Sequence, residues 1–288
     1  MKILVTGKDG QLGRAIYSIV NNKPKKYNFI FVGKDELNLA NKKSIYKYFE
    51  KNYYDLIINC AAYTSVDKAE QESEIADAIN HLGIKHIAKL ARINKSKLIH
   101  ISTDYVFNGL SGDLYKEDDQ TSPINVYGKS KLDGEIAIQK EMESDSIIIR
   151  TSWVYSEYGK NFVKTILKLA KENKQIDVIN DQFGSPTNVN DLAEMILQIV
   201  ENIESFNDPI PNEIYHFSNE GTVSWYEFAK EIISIKNINC FVNPVSSVKF
   251  KTVALRPANS SMNISKIKKK YEIDSVSWQE SLKFFLEK

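Results

Sequence analysis

Short apolar runs alternate with amphipathic helical segments along the first half of this chain, and this alternation most constrains its fold. The runs are near-continuous in apolar residues, which is typical of parallel strands covered on both faces. Repeated strand–helix units of this kind predict an α/β protein with a doubly wound parallel sheet of the Rossmann type. The five runs are KILVT (2–6), NFIFVG (28–33), DLIINCAA (55–62), KLIHIS (97–102) and SIIIR (146–150).

The regular alternation loosens beyond Arg150. This change predicts a second, smaller α/β domain whose segments are interwoven with the first. We predict a dinucleotide-binding domain over residues 1–150, to which 173–200 returns. The substrate domain is predicted to comprise 151–172 and 201–288.

Composition excludes several classes of function. The net charge is +1, from 38 basic and 37 acidic residues, unlike a protein that binds nucleic acid by neutralising phosphates. Cys60 and Cys240 lie far apart and give neither a disulfide framework nor zinc spacing. The chain enters a strand pattern at once, without a signal peptide, and lacks the roughly 18–20 apolar residues of a membrane span. We therefore expect a cytoplasmic protein that binds neither nucleic acid nor membranes.

Three glycines separate the first predicted strand from the first helix, in VTGKDGQLGRA. Gly7, Gly10 and Gly13 allow a tight turn, a close approach of the backbone to a pyrophosphate, and close packing of the helix on the sheet. The helix start, with Gln11 and Leu12, then presents free N–H groups to the phosphates. We predict a dinucleotide site here; a glycine turn without a ligand is the alternative.

The G-x-x-G-x-x-G spacing resembles that of the extended short-chain dehydrogenase/reductase superfamily, which implies NADPH or NADH as the cofactor. NAD-preferring sites usually place an acid at the end of the second strand, for the ribose 2′-hydroxyl. Here Gly33 is followed by Lys34, a cation that suits a 2′-phosphate, although Asp35 and Glu36 come next. We expect NADP(H) to be accepted and preferred; the alternative for Lys34 is a solvated loop lysine.

Tyr127 and Lys131 lie four residues apart in NVYGKSKLDGE, so they share one face of the predicted helix. Thr103 stands at the end of the fourth strand, and the joint pattern resembles the catalytic set of the superfamily. A nearby ammonium favours the phenolate and so lowers a tyrosine pKa. The resemblance implies that Tyr127 protonates a carbonyl oxygen held by Thr103, while Lys131 lowers the pKa of Tyr127 and binds the nicotinamide ribose.

Small residues follow the third strand in NCAAYT and leave room for a ligand at the carboxyl edge of the sheet. In the superfamily, an N-A-A stretch at this place lines the cofactor. The resemblance therefore implies that Ala61, Ala62 and Tyr63 contact the cofactor.

Longer stretches are similar to the dTDP-4-dehydrorhamnose reductase family: AAYTSVDKAE, STDYVFNG, YGKSKLDGE, RTSWVYSEYGKNF, VINDQFGSPT and RPANSSMNISK. This resemblance implies a dTDP-sugar substrate. Trp153 would pack on the sugar or base, and Arg256 would bind the diphosphate as a planar fork; a core tryptophan and a surface arginine are the alternatives. The full set of implied substrate contacts is Asp104, Tyr105, Trp153, Asn161, Phe162, Gln182 and Arg256.

Two positions depart from the family pattern. Many relatives read LDLTD after the second strand, with an Asp near the adenine, whereas this chain reads LNLAN. We expect Asn38 and Leu39 to line the cofactor there, with Asn38 as an acceptor. Some members bridge dimers through a metal bound by an acid two residues after the third glycine. Ala15 occupies that position, so we predict no metal, while a homodimer stays open.

These features together predict NAD(P)H-dependent reduction of the C4 keto group of dTDP-4-dehydro-L-rhamnose to dTDP-L-rhamnose, with Tyr127 as the proton donor. Two alternatives stay open. The same scaffold reduces other nucleotide-linked 4-keto-6-deoxy sugars, and the sequence does not show which face of the sugar the pocket presents. Relatives also serve as non-catalytic, dinucleotide-binding regulatory subunits of methionine adenosyltransferase, although the intact set of Thr103, Tyr127 and Lys131 argues against this role.

Overall fold

Twelve strands and eleven α-helices are found in the computed structural model, which describes residues 1–22, 26–203 and 208–287. Residues 204–207 and 288 of the predicted substrate domain lie outside this range. The strands are β1 (Lys2–Thr6), β2 (Asn28–Val32), β3 (Leu56–Asn59), β4 (Lys97–Thr103), β5 (Ser146–Thr151), β6 (Val154–Tyr155), β7 (Gln175–Ile179), β8 (Phe183–Gly184), β9 (Thr187–Asn188), β10 (Glu213–His216), β11 (Val223–Ser224) and β12 (Phe241–Val245).

The helices in the described residues include one long interrupted segment, in which a π-helical turn (Ala78–Gly83) joins two α-helices. None of the described helices has the length and apolar character needed to cross a membrane. The helices are α1 (Gln11–Asn21), α2 (Lys42–Phe49), α3 (Val66–Ala69), α4 (Ser73–Asp77), α5 (Ile84–Asn94), α6 (Val126–Glu141), α7 (Phe162–Glu172), α8 (Val189–Glu201), α9 (Trp225–Ile235), α10 (Ser265–Tyr271) and α11 (Trp278–Glu287).

The main sheet has six parallel strands in the order β10-β5-β4-β3-β1-β2. Successive side chains of each strand enter opposite faces: Ile3 and Val5 of β1 pack with α1 and α8, whereas Leu4 packs with α2, α5 and α6. Both faces are therefore buried, which explains the near-continuous apolar runs. The predicted doubly wound parallel sheet is confirmed.

A second, smaller unit packs around its own core. Strands β7 and β12 form a parallel pair, and α7, α9 and α11 contribute to the apolar cluster around them. Helix α8 returns to the main sheet, whereas β7 does not, and β10 joins the main sheet beside β5. Residues 175–179 are predicted to return to the first domain but lie in the second unit, whereas residues 213–216 are predicted for the substrate domain but join the main sheet. The reason is that an apolar run indicates a strand without indicating its partner. The domain boundary near residue 150 stays a proposal.

Helix α6 is attached to the sheet by a buried ion pair. Glu135 accepts hydrogen bonds from Arg150 of β5, at 3.0 Å from Nε and 2.7 Å from Nη2, and also from Ser102 of β4. Both charged side chains are at most 3% exposed. Glu135 follows Tyr127 and Lys131 at intervals of four, so one face of α6 carries all three. The ion pair therefore fixes the helix that holds the predicted catalytic residues.

We expect Glu135→Gln to lower the free energy of unfolding by about 3 kcal/mol or more, because the substitution leaves the Arg150 charge buried without a counter-ion. Glu213→Gln is the matched control, since the Glu213–Lys266 pair is exposed and such pairs contribute about 1 kcal/mol or less. Urea denaturation followed by circular dichroism measures both. Equal losses in the two variants would contradict this role for Glu135.

Candidate active site

The glycine loop between β1 and α1 has the geometry of an anion site. Gly7 has a φ of +72°, and a Cβ on it would lie 2.8 Å from the Ala61 nitrogen. A Cβ on Gly13 would lie 2.3 Å from the Gly7 carbonyl oxygen, so α1 packs directly on the loop. Gly10 has no side chain to cap α1, so the first N–H groups of the helix stay available to a ligand. These features fit the pyrophosphate of a dinucleotide.

The first turn of α1 also contacts the second unit of the chain. Gln11 Oε1 accepts hydrogen bonds from Ser156 Oγ (2.7 Å) and Asn161 Nδ2 (3.2 Å). Asn161 in turn caps α7 through the Lys164 N–H. Leu12 is buried in the main core. The structure therefore brings a predicted cofactor residue, Gln11, into contact with a predicted substrate residue, Asn161.

The end of β2 carries both signs of charge. Lys34 is exposed there. Glu36 accepts a hydrogen bond from the Gly33 N–H (2.9 Å) and forms an ion pair with Lys8 of the glycine loop. Glu36, one of the two acids that follow Lys34, is thus paired with Lys8, whereas the contacts of the described residues give Lys34 no partner.

Asn38 and Leu39 lie in the turn that follows. Asn38 Oδ1 accepts a hydrogen bond from the Ala40 N–H at 3.1 Å, so this side chain stabilises its own turn. Leu39 is buried, and its carbonyl oxygen would lie 2.5 Å from a Cβ on Gly83. The close packing of this turn on the π-helical segment fixes the place where both residues stand.

The stretch after β3 is fixed by hydrogen bonds to a residue of the π-helical turn. Asn80 is buried and accepts a hydrogen bond from the Tyr63 N–H (2.8 Å) while donating to the Tyr63 carbonyl (3.0 Å) and to Ser130 Oγ (3.0 Å). Ala61 lies against Gly7, and the next residue, Ala62, is partly exposed. The predicted cofactor-lining stretch is therefore fixed between the glycine loop and α6.

Thr103 and Tyr127 meet at the carboxyl end of β4. Thr103 Oγ1 donates to Asp104 Oδ1 (3.0 Å) and accepts from the Tyr105 N–H (3.2 Å). Burial raises the pKa of Tyr127 to about 12; the nearby Thr103 hydroxyl lowers it and the charge of Asp104 raises it. The prediction that this pKa lies below its usual value is wrong, because desolvation of the phenolate outweighs the other effects.

Lys131 is buried one helical turn after Tyr127. Its Nζ lies 3.1 Å from His100 Nε2 and donates to the Ile101 carbonyl at 2.6 Å. Burial lowers the pKa of Lys131 to about 8, against the opposing charge of Glu135. The sequence analysis missed His100, although a lone polar residue within the apolar run of β4 is a signal that could have indicated it.

Asp104 and Tyr105 follow Thr103 directly. Asp104 is buried, and this burial raises the pKa of its carboxyl to about 7. The Tyr105 ring lies edge-on to the Tyr127 ring, with centroids 5.9 Å apart. Burial raises the pKa of Tyr105 as well. Both residues therefore adjoin Tyr127, the predicted proton donor.

Trp153 belongs to a stack of aromatic rings. It lies parallel to Trp225 with centroids 3.3 Å apart, and Phe162 packs on Trp225 at 4.4 Å. The Trp153 indole passes so close to Gly184 that a Cβ there would lie 2.5 Å from it. Trp153, Phe162 and Trp225 are all partly exposed at the margin of the second core. The sequence analysis missed Trp225, whose partner Trp153 is distant in the chain.

Arg256 forms an ion pair with Asp67, a residue far from it in the sequence. Its Nη1 and Nη2 donate to the two oxygens of Asp67 at 3.1 and 2.7 Å, which lowers the pKa of Asp67. Gln182 is buried in the neighbouring loop, where the Phe183 N–H donates to the Ala258 carbonyl. The Arg256 guanidinium, which is predicted to bind a diphosphate, therefore binds both oxygens of the Asp67 carboxylate in the structure.

Asp77, His81 and Asp133 have ligand atoms within 4.8 Å of one another. The contact between Asp77 and His81, at 2.8 Å and one helical turn apart, is an ordinary pair on a helix surface. The prediction that the chain binds no metal stays a prediction.

Comparison with known proteins identifies the family. Residues 1–288 match the model of the family described as "RmlD substrate binding domain". The chain is 39% identical to the dTDP-4-dehydrorhamnose reductase of Aggregatibacter actinomycetemcomitans, over 98% of this chain and 97% of that protein.

Solved structures agree with this sequence comparison. The dTDP-4-dehydrorhamnose reductase of Clostridium acetobutylicum superposes with a TM-score of 0.92 at 35% identity, over 100% of this chain and 99% of that one. The Bacillus anthracis enzyme, solved in complex with NADP, has a TM-score of 0.92 at 37% identity, over 99% and 98%. The chain therefore belongs to the dTDP-4-dehydrorhamnose reductase family.

Proposed function

We propose that this protein reduces the C4 keto group of dTDP-4-dehydro-L-rhamnose to a hydroxyl, with NADPH or NADH as the reductant, and so forms dTDP-L-rhamnose. The observation that carries the proposal is the meeting of Thr103, Tyr127 and Lys131 at the sheet edge that also bears the glycine loop. The names of the relatives with 37–39% identity support the choice of substrate.

The cofactor site is proposed to comprise Gly7, Gly10, Gln11, Leu12, Gly13, Lys34, Asn38, Leu39, Ala61, Ala62, Tyr63, Tyr127 and Lys131. The dinucleotide, when bound, supplies the hydride. The exposed Lys34 and the pairing of Glu36 with Lys8 favour a 2′-phosphate. The NADP complex of the Bacillus anthracis relative supports the same preference.

The proton is proposed to come from Tyr127. A pKa of about 12 keeps the phenol protonated at neutral pH until negative charge develops on the sugar O4. Thr103 holds that oxygen, and the Lys131 ammonium stabilises the phenolate that forms. The tyrosine then regains its proton from solvent, so one hydride and one proton are added to the C=O bond.

The substrate path is proposed to run past Asp104, Tyr105, Trp153, Asn161, Phe162, Gln182 and Arg256. The aromatic stack offers an apolar face to the deoxysugar or the base. Arg256 would exchange the Asp67 carboxylate for the diphosphate, since both are bidentate anions. A cytoplasmic location is a further part of this proposal, and a homodimer stays open.

The purified protein, mixed with NADPH and dTDP-4-dehydro-L-rhamnose, is expected to consume the nicotinamide and release dTDP-L-rhamnose. Absorbance measures the rate, and NMR identifies the C4 configuration of the product. Parallel reactions use NADH and other 4-keto-6-deoxy nucleotide sugars. No turnover with either nicotinamide would contradict the proposal, and a better rate with another sugar would reassign the substrate.

Tyr127→Phe should reduce kcat by about 10²–10⁴-fold, because it removes the proton donor while retaining the ring. Tyr53→Phe is the control, since Tyr53 is 65% exposed and should keep full activity. Fluorescence titration with NADPH checks that the site is intact. Full activity in Tyr127→Phe would rule out this proton donor even if the reaction itself is confirmed.

Arg256→Gln should raise the KM for the dTDP-sugar by about tenfold or more, because a charge-assisted hydrogen bond is lost. Arg92→Gln, at an exposed arginine, should leave KM unchanged. Asp67→Asn separates two roles of Arg256. If Arg256 binds the diphosphate, Asp67→Asn should keep a low KM; if Arg256 only pairs with Asp67, the two variants should behave alike.

A further inference from the structure

A line of buried polar side chains runs from the glycine loop to the catalytic lysine. Thr6 Oγ1 lies 2.7 Å from Asn59 Oδ1, Asn59 Nδ2 lies 3.0 Å from His100 Nδ1, and His100 Nε2 lies 3.1 Å from Lys131 Nζ. Each of the four side chains is at most 1% exposed. They stand on the adjacent strands β1, β3 and β4 and on α6. Since solvent does not reach them, they must satisfy one another's hydrogen bonds.

The orientation of the Asn59 amide follows from its partners. Its Nδ2 lies 3.2 Å from the Ala61 carbonyl oxygen, which can only accept, and its Oδ1 receives the Thr6 hydroxyl. The second hydrogen of Nδ2 then points at His100 Nδ1. In this arrangement His100 Nδ1 is an acceptor and carries no proton.

The tautomer of His100 determines the protonation state that Lys131 can have. Burial, and then the charge of Lys131, hold the pKa of His100 well below its usual range, so the ring is neutral and has one N–H. With Nδ1 accepting, that proton is on Nε2 and points at Lys131 Nζ. Only a neutral amine has a lone pair to accept it, because an ammonium has three donors and no acceptor.

We propose that His100 and Asn59 are positioning residues that couple the protonation of Lys131 to the tautomer of His100. With Lys131 as the amine, His100 carries its proton on Nε2 and Asn59 donates to Nδ1. With Lys131 as the ammonium, His100 accepts at Nε2, carries its proton on Nδ1, and Asn59 presents Oδ1 to it. The protein takes up one proton in total when the amine becomes the ammonium and releases it in the reverse change, while the histidine exchanges one N–H for the other.

The network resists the charged state of Lys131, since turning the Asn59 amide breaks its hydrogen bond to the Ala61 carbonyl. Glu135, one turn along α6, is the carboxylate that favours the ammonium. Arg150 of β5 partly neutralises Glu135, Tyr127 is protonated, and His100 faces Lys131 from β4. The Ala61 N–H also donates to Thr6 Oγ1 at 3.3 Å, so the same network reaches the backbone that packs on Gly7.

The first test uses the full-length protein with ¹⁵N-labelled histidine and needs no substrate. The His100 ring signals are identified by their loss in His100→Gln. We expect the proton to be on Nδ1 below pH 8 and on Nε2 above it, following Lys131. A single tautomer across this range would overturn the proposal.

The second test uses Asn59→Asp, whose carboxylate can only accept. This variant should hold His100 as the Nδ1–H tautomer at every pH and stabilise the Lys131 ammonium. In the pH profile of kcat, the pKa of the alkaline limb should therefore rise by about one pH unit or more. A rise of one unit is a tenfold change in the ratio of ammonium to amine at a given pH. Asn173→Asp is the control, because Asn173 is exposed. A uniform loss of kcat with an unmoved limb would indicate a merely structural role and contradict the proposal.

Only the effect on kcat rests on the proposed function. If the His100 tautomer exchanges with pH but no nucleotide sugar is reduced, the proposed reaction fails and the coupling stands. If the sugar is reduced and the tautomer is fixed, the coupling fails and the reaction stands.

Discussion

The burial of two ionisable side chains, Lys131 and Glu135, on one face of α6 is the constraint on which the rest of this structure depends. Ionisable groups withdrawn from water are tolerated only where hydrogen bonds and opposite charges replace the solvent. Glu135 accepts hydrogen bonds from Arg150 and Ser102, while Lys131 lies against His100 and donates to the Ile101 carbonyl. These partners come from β4 and β5, so the helix can occupy only one position on the sheet. Tyr127 shares the face and is therefore brought to the end of β4, against Thr103.

The candidate site is assembled from parts that lie far apart in the chain. The main sheet provides the glycine loop and the proposed catalytic set at one edge, because parallel strands end together there. The second unit provides the stacked rings of Trp153, Trp225 and Phe162. The Arg256–Asp67 pair joins the two sides. A substrate with an anionic diphosphate and a deoxysugar would meet a guanidinium fork and an aromatic surface, which matches the chemistry proposed for it.

Much of the fold could be predicted from local patterns. The first strand and its glycine loop begin and end where the apolar run and the glycines indicated. The reason is that position 7 has a left-handed backbone and packs against Ala61, which glycine tolerates best. The pairing of β7 with β12 and the place of β10 could not be predicted in this way. A strand pattern reports which faces are apolar, whereas its neighbour in the sheet depends on contacts distant in sequence.

By itself, the sequence determined the five strands of the first half, the glycine loop, and the spacing that places Tyr127 and Lys131 on one helical face, since each depends on residues close together in the chain. Only the tertiary structure decided that Asp67 pairs with Arg256, that Trp225 stacks on Trp153, and that Asn59 contacts His100, which in turn contacts Lys131. It also reversed the expected pKa shift of Tyr127. A pKa reflects the balance between desolvation and neighbouring charges, and that balance exists only once distant segments have packed around the group.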